Sequence, residues 1–340
     1  MSQNAPAFGQ FIARIGQPKL SNRGPGHSLG QAMAVHWCVQ WSPGRGRACS
    51  RVGSQMGNRA SQDVELYEEI GPWTEVKLDI IRKYAHAYST ILSAQERPPL
   101  AHVYVDAFAG AGRYVSRRSG ELVPGSPRIA LLTDPPFQEY HFIDIDQVKV
   151  RLLEEIAGKR PNVTVYHGDC NKILIERVLP RIRYEDYRRG LCILDPYGLH
   201  LEWRTVQAIA KMRTIEVFLN FPIMNMNRNA LRKDPNDVAP DQARRMTTFW
   251  GDDSWRSLFY QKEPQLVLWG DQPTRKTVTN DDVVGAYLER LRKVAGFSYV
   301  PQPLAMRNST SAVVYYLIFA SHKAVAGDIV EQIFAKYREG

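Results

Sequence analysis

Short β-branched and aromatic runs alternate along the chain with stretches whose apolar residues recur every three or four positions. The runs predict strands over 103–106, 140–146, 163–166, 191–194, 216–220, 297–306 and 313–320. Between them, Val76, Ile80, Ile81, Tyr84 and Ala87 mark a helix from Thr74, its N-cap, to about Leu92. Further helices are expected from Ser126 through Leu132, along the Val148, Leu152, Leu153 and Ile156 stripe, from Cys170 to about Arg183, over 280–295 and over 327–337. Residues 191–194 form an unbroken apolar run, as central parallel strands do. The polar link 307–311 joins the last two strands as a hairpin. This pattern describes an α/β, doubly wound, mostly parallel seven-stranded sheet with an antiparallel edge strand. Residues 234–272, with Trp250, Trp255, Phe259 and Trp269 among charges, read as a small helical insertion that covers the pocket or touches substrate or, on the plainer reading of its tryptophans, holds a hydrophobic minicore.

Residues 1–62 show no such period. They are rich in Gly, Pro, Ser and Arg, hold seven basic residues and no acidic one, and predict a disordered basic tail or a mis-assigned start, with residues 63–340 as the folded domain. The tail also explains the net charge of +9: the rest has 37 basic against 35 acidic residues, so any basic binding face must come from local clustering. Arg177, Arg181, Arg183, Arg188 and Arg189 with Tyr184 and Tyr187 form one such cluster, diluted by Glu176, Glu185 and Asp186. Four scattered cysteines suggest neither a zinc site nor a disulfide framework and fit a reducing, cytoplasmic setting. No apolar run is long enough to span a bilayer, and no membrane association is expected.

The chemistry concentrates where strands end. The first strand delivers Asp106 into Ala107-Phe108-Ala109-Gly110-Ala111-Gly112, a small-residue turn at the edge where nucleotides dock in open α/β sheets. Gly110 and Gly112 allow close backbone approach. Val115 stands where a dinucleotide fingerprint needs a third small residue, and Asp106 would repel a pyrophosphate, so NAD is disfavoured. A carboxylate beside this turn suits an amine-bearing ligand such as the methionyl part of S-adenosylmethionine. Asp144, ending the neighbouring strand, is placed to accept two ribose hydroxyls, with Asp146 as the next helix's N-cap. Asp169 reads either as an acceptor for an adenine amino group or as another N-cap. Asp195-Pro196-Tyr197-Gly198 follows the buried fourth strand; Asp195 can accept from an exocyclic amine and Tyr197 can stack on an extruded base, whereas an Asp-Pro turn is the plain alternative. Arg113, Arg117 and Arg118 sit in a long passage near the presumed pocket, and Lys77 reads as a solvated surface lysine.

From about Gly71 onward the chain resembles the three-Cys-motif partner protein family, TcmP, which is assigned to the class I S-adenosylmethionine-dependent methyltransferase fold. The resemblance rests on Pro72-Trp73-Thr74 with Lys77, on Asp106 through Gly112, and on Gly125-Ser126-Pro127. It continues at Phe142-Ile143-Asp144, Asp195 through Gly198, Asn220-Phe221-Pro222, Asn227-Arg228 and residues 316–321. It implies cofactor contacts at Asp106, Phe108, Gly110, Gly112, Asp144 and Asp169, a catalytic Asp195, Pro196 and Tyr197, no metal, a nucleic-acid substrate modified at a base nitrogen, and a cysteine-motif partner protein. One departure is plain: amino-methyltransferases often carry Asp-Pro-Pro-Tyr, and this chain lacks the second proline. A catalytically silent module that holds its partner or a nucleic acid is the competing expectation.

Overall fold

The computed structural model describes residues 67–262 and 274–338. The expected tail over 1–62, and residues 263–272 of the insertion with Trp269, lie outside them.

Seven strands form the central sheet: β1 (Ala101–Asp106), β2 (Glu139–Asp144), β3 (Val163–His167), β4 (Arg188–Leu194), β5 (Ile215–Phe221), β6 (Leu304–Arg307) and β7 (Val313–Ala320). Their spatial order is β6-β7-β5-β4-β1-β2-β3. The five strands β3 to β5 in this order run parallel, with Asp106 opposite Phe142 on one side and Ile193 on the other. Strand β7 runs antiparallel to both β5 and β6, pairing Leu317 with Asn220 and with Leu304. The antiparallel strand is therefore internal, and the edge strand β6 runs the same way as the parallel five. The hairpin expected from 307–311 is present, but its second arm docks on β5: β7 is the longer and more apolar arm, buried from Tyr315 to Ala320.

Helix α1 (Pro72–Ser93) starts ahead of Thr74, with Gly71 as N-cap. Pro72 has no N–H to satisfy and a preset φ, so the helix begins there. Its buried side includes Lys77, Ile80, Ile81, Tyr84 and Tyr88. Helices α2 (Ser126–Leu131) and α3 (Gln147–Ala157) follow, then α4 (Cys170–Ile173), prolonged by a wide turn over Leu174–Val178 and a tight one over Leu179–Arg181. Next come α5 (Trp203–Met212) and α6 (Ile223–Asn229), the latter asparagine-rich and anchored by the wholly buried Ile223 and Met226.

The insertion is not a separate minicore. Its helices α7 (Pro240–Trp250) and α8 (Ser254–Phe259) bury Met246, Phe249, Trp250, Trp255 and Phe259 in the same apolar cluster as β4, β5 and α5. Phe249 stacks on Tyr287 of α9 (Asn280–Arg290), centroids 5.4 Å apart. Helix α10 (Ala324–Arg338) closes the described chain.

The long passage after Gly112 is a β-hairpin, Arg113–Ser116 against Leu122–Pro124, whose first arm also pairs with Glu69–Ile70. Arg117 and Arg118 pair with Glu69 and Glu75, at 3.4 Å and 3.5 Å, and stay exposed. In the later basic cluster, Arg181 and Arg188 both pair with Glu139, and Arg183 pairs with Asp186. Among the described residues no helix is long and apolar enough to cross a membrane.

Candidate active site

The strand order reverses at the boundary between β1 and β4, and in open α/β sheets ligands dock at such a switch point, outside the carboxyl ends of the strands. Asp106 ends β1, Asp144 ends β2 and Asp195 follows β4 directly, so the parallel register brings all three carboxylates to this edge. After Asp106 the backbone is held from both sides: the Ala107 amide donates to the Ile193 carbonyl (3.0 Å) and the Ala109 amide to that of Ile143 (2.9 Å).

Both glycines of the turn have left-handed φ, +63° at Gly110 and +71° at Gly112, where an L-residue is strained. They serve different neighbours. A Cβ on Gly112 would lie 2.6 Å from Ile156 Cδ1 of α3, so Gly112 is required by helix packing rather than by room for a ligand. The next layer is as tight: the Gly125 amide donates to the Gly112 carbonyl (2.9 Å), and a Cβ on Gly125 would sit 3.0 Å from the Gly112 carbonyl carbon. Gly110 meets only the Tyr114 hydroxyl, at 3.0 Å from its would-be Cβ.

Asp106 is wholly buried, and neither carboxyl oxygen has a hydrogen-bond partner. Burial pushes its carboxyl to about 7; the Asp195 charge adds to the rise, while Ser126, the Phe108 amide and Lys77 oppose it. Ser126 and the Phe108 amide are thus near enough to act electrostatically without completing a hydrogen bond of good geometry. The partly buried Phe108 packs on the main core.

Asp144 closes the turn. Its Oδ2 accepts from the Gly110 amide (2.8 Å) and its Oδ1 from the Asp146 amide (2.9 Å). The residue is half-buried, and each oxygen retains a second lone pair. Asp146 caps α3 through the Val148 amide (2.7 Å), as expected. Asp169 also takes its capping alternative: one oxygen accepts from the Asn171 amide (2.9 Å) and side chain (3.0 Å), while the residue itself is exposed.

Asp195 is engaged on both oxygens. Oδ2 forms an ion pair with Lys77, and Oδ1 accepts from Asn220 Nδ2 at 2.5 Å. Lys77 is buried, not solvated, with Nζ 5.7 Å from the centre of the Tyr315 ring. Tyr315 in turn donates to the Trp73 carbonyl (3.0 Å), tying the start of α1 to β7. Because a carboxylate only accepts, Asn220 must turn its amide nitrogen to Asp195, and its buried Oδ1 is left without a partner. Pro196 is buried, Tyr197 is 80% exposed, and Gly198 (φ +63°) faces Asn225 of α6.

Three of the residues expected at the site thus converge with the glycine turn, Asp169 lies one strand further out as a cap, and Lys77, Asn220 and Tyr315 complete the cluster. Lys77 was visible as a signal: positions 77, 81, 84 and 88 share one helix stripe, so a lysine there lies among buried residues.

Compared with protein-family models the chain matches none, and it matches no curated protein. Solved structures are similar to it. Protein LPL1258 of Legionella pneumophila is 13% identical over 64% of this chain and 92% of its own, with a TM-score of 0.34. Trm1 of Pyrococcus horikoshii in complex with S-adenosyl-L-methionine is 16% identical over 75% of this chain, TM-score 0.37; Trm5b of Pyrococcus abyssi is 15% identical over 69%, TM-score 0.33. The chain spans 57% of the former and 46% of the latter.

Proposed function

We propose that this chain is an S-adenosylmethionine-dependent methyltransferase of the TcmP family that modifies a base nitrogen of a nucleic acid in company with a cysteine-motif partner protein. The observation that carries the reading is the convergence of Asp106, Asp144 and Asp195 around the Gly110 turn, at the switch point of a β6-β7-β5-β4-β1-β2-β3 sheet. The residues present fit the cofactor. Two unpartnered oxygens on a buried Asp106 lack a counter-charge, and an ammonium group is the counter-charge they lack. Asp144, already fixed by two backbone amides, keeps lone pairs for ribose hydroxyls.

When bound, S-adenosylmethionine supplies a methyl carbon on a sulfonium that leaves as a neutral thioether. The chain's own part is positioning. Asp195 accepts an N–H of the acceptor amine and so directs the nitrogen lone pair into the crevice. Asn220 and Lys77 fix the plane of the Asp195 carboxylate. Tyr197 offers an exposed ring on which an extruded base can stack.

The test is calorimetric binding of S-adenosylmethionine together with labelled methyl transfer to pooled nucleic acids, with and without the partner. Micromolar binding is expected, weakened in an Asp144→Ala variant. Asp195→Ala should bind cofactor and lose transfer; an active Asp195→Ala protein removes that residue from the mechanism. One observation favours a silent module instead: Asp195 is already held by Lys77 and Asn220, so only its second lone pairs are left for a substrate. Cofactor binding without transfer to any nucleic acid, in the partner's presence, would establish that second reading.

A further inference from the structure

A cavity of about 390 Å³ opens at the other edge of the sheet, where β4 and β5 begin and where α1 and α10 have their facing sides. The length of β5 puts it roughly 20 Å from the glycine turn. Its volume lies in the range of small-molecule sites. It is independent of the methyl-transfer reading, since it shares no residue with the Asp106–Asp195 cluster.

The inner wall is aromatic and acidic. Glu216 lines it, with Oε2 accepting from the Tyr84 hydroxyl at 2.5 Å. Tyr88 lines it too; it is buried, and its hydroxyl has no partner. Burial pushes the Glu216 carboxyl to about 7, against the pull of Tyr84, Lys323 and Ser321. The mouth has the opposite character. Arg213 and Lys323 are exposed there, and Arg189 lies over the ring of the exposed Tyr184, 4.5 Å from its centre.

The backbone at this mouth is held in a costly form. Among the described residues only Tyr187, Arg213 and Ser311 combine a side chain with left-handed φ, and the first two line this cavity, at +54° and +56°. Arg213 ends α5 at the position where glycine is favoured. An arginine kept in that conformation, beside a tyrosine kept in the same one, is backbone strain gathered at one opening.

We propose that this cavity is a nucleotide-binding site: a base whose edge offers N–H donors lies against Tyr88 and meets Glu216, while Arg213 and Lys323 hold the phosphate at the mouth. The chemistry discriminates among bases. A carboxylate acceptor pairs with the adjacent ring N–H and amino group of guanine, and it has no such pair to meet on uracil. The mixed lining decides against a plain hydrophobic ligand, which would leave the Tyr88 hydroxyl buried without a partner and the Glu216 acceptor positions beyond the one filled by Tyr84 unused. The same chemistry is offered by a free nucleotide and by a single-stranded nucleic-acid segment.

The experiment titrates GMP, UMP and short single-stranded G-rich and U-rich oligoribonucleotides into the full chain by calorimetry, with no S-adenosylmethionine present. Preference for GMP over UMP, retained without the oligonucleotides, identifies a free-nucleotide site. Tight binding of the G-rich oligonucleotide with weak GMP binding identifies a nucleic-acid grip. In either case Glu216→Gln should reduce the G-over-U preference about tenfold or more, as loss of a hydrogen bond to a charged group implies. Arg213→Gly keeps the fold, since glycine adopts this φ freely, and should weaken phosphate-bearing ligands while leaving guanosine unaffected. The proposal is overturned if no guanine ligand binds, if UMP binds as well as GMP, or if both variants bind like the parent. A chain that binds GMP here yet never binds S-adenosylmethionine would leave this site standing and remove the methyltransferase reading.

Discussion

The two edges of the central sheet each bury one carboxyl group that desolvation lifts to about 7, Asp106 at the carboxyl edge and Glu216 at the amino edge. They are treated in opposite ways. Glu216 accepts from the Tyr84 hydroxyl and sits among tyrosines, so one of its oxygens is satisfied within the protein. Asp106 has no hydrogen-bond partner and faces a second carboxylate, Asp195, which is itself covered by Lys77 and Asn220. The amino-edge carboxyl has a partner within the protein; the carboxyl edge holds more acidic groups than cations. Three acidic groups and one buried lysine surround the glycine turn, and that imbalance marks the carboxyl edge as the place for a cationic ligand.

The largest effect expected from breaking this contrast is at the Lys77–Asp195 pair. Removing one partner of a buried ion pair leaves the other uncompensated, which typically costs about 3–5 kcal/mol. Lys77→Met should therefore lower unfolding stability by about 3 kcal/mol in urea titrations, toward the low end because Asp195 is 25% exposed on its side chain. The double variant Lys77→Met, Asp195→Asn should recover most of that loss. Equal destabilisation of the single and double variants would show that packing of the lysine stem, not its charge, is what matters.

The next effect concerns the turn. Gly112→Ala introduces a side chain at φ +71° and drives it against Ile156. The left-handed conformation and the overlap together should cost about 3 kcal/mol. Ile156→Ala in the same chain should return part of it by opening space for the new methyl group. Gly110→Ala, which meets only the end of a tyrosine, should be the milder of the two glycine changes in thermal unfolding.

The contrast between these glycines also shows how much was legible beforehand. Spacing along the chain placed the strands, the turn and the three acidic strand ends, because buried runs bounded by Gly, Pro and Asp announce themselves locally. Which glycine serves the backbone and which the helix behind it depends on Ile156, more than forty residues away, and no local pattern encodes that. Lys77 is a different case: it occupies the buried stripe of α1, but charge outweighed position in the reading. The hairpin over 113–124 was obscured by its arginines, although Arg113-Tyr114-Val115-Ser116 and Leu122-Val123 flank Gly120 at φ +70°. Helix α6, rich in asparagine, has poor intrinsic propensity and exists because Ile223 and Met226 are buried. Likewise, the tryptophans of the insertion announced burial but not that they join the main core.

A smaller effect sharpens the comparison through pH. The unliganded native state holds the Asp106 proton more tightly than the unfolded chain does, about 7 against the ordinary 3.8. Its contribution to stability is therefore fully present below about pH 4 and is lost as pH rises through about 7. Glu216 acts in the same direction from 4.5 to about 7, so the free protein should become less stable between about pH 4 and 7 from both edges together. Ligand binding separates them. An ammonium-bearing cofactor needs Asp106 ionised, so its affinity should fall about tenfold for each pH unit below 7 and level off above it. Asp106→Asn should bind more weakly and without that slope, whereas Glu216→Gln should leave the slope intact. A slope that vanishes in Glu216→Gln instead would move the cofactor's proton linkage to the wrong edge of the sheet.

The smallest expected effect is a gain. Arg213 closes α5 in a left-handed conformation, its amide bonding back to the Ala210 carbonyl at 3.2 Å. Glycine adopts that φ without the steric penalty an L-residue meets, so Arg213→Gly should raise unfolding stability by about 1 kcal/mol. A more flexible unfolded chain offsets part of this gain. At Gly112 the left-handed position already holds glycine and substitution is costly; at Arg213 it holds a charged residue and substitution is expected to stabilise. The first is a position optimised for folding. The second keeps a guanidinium at the mouth of a cavity at a cost to stability, and a thermal midpoint that does not rise in Arg213→Gly would show that the surrounding structure favours the arginine for its packing alone.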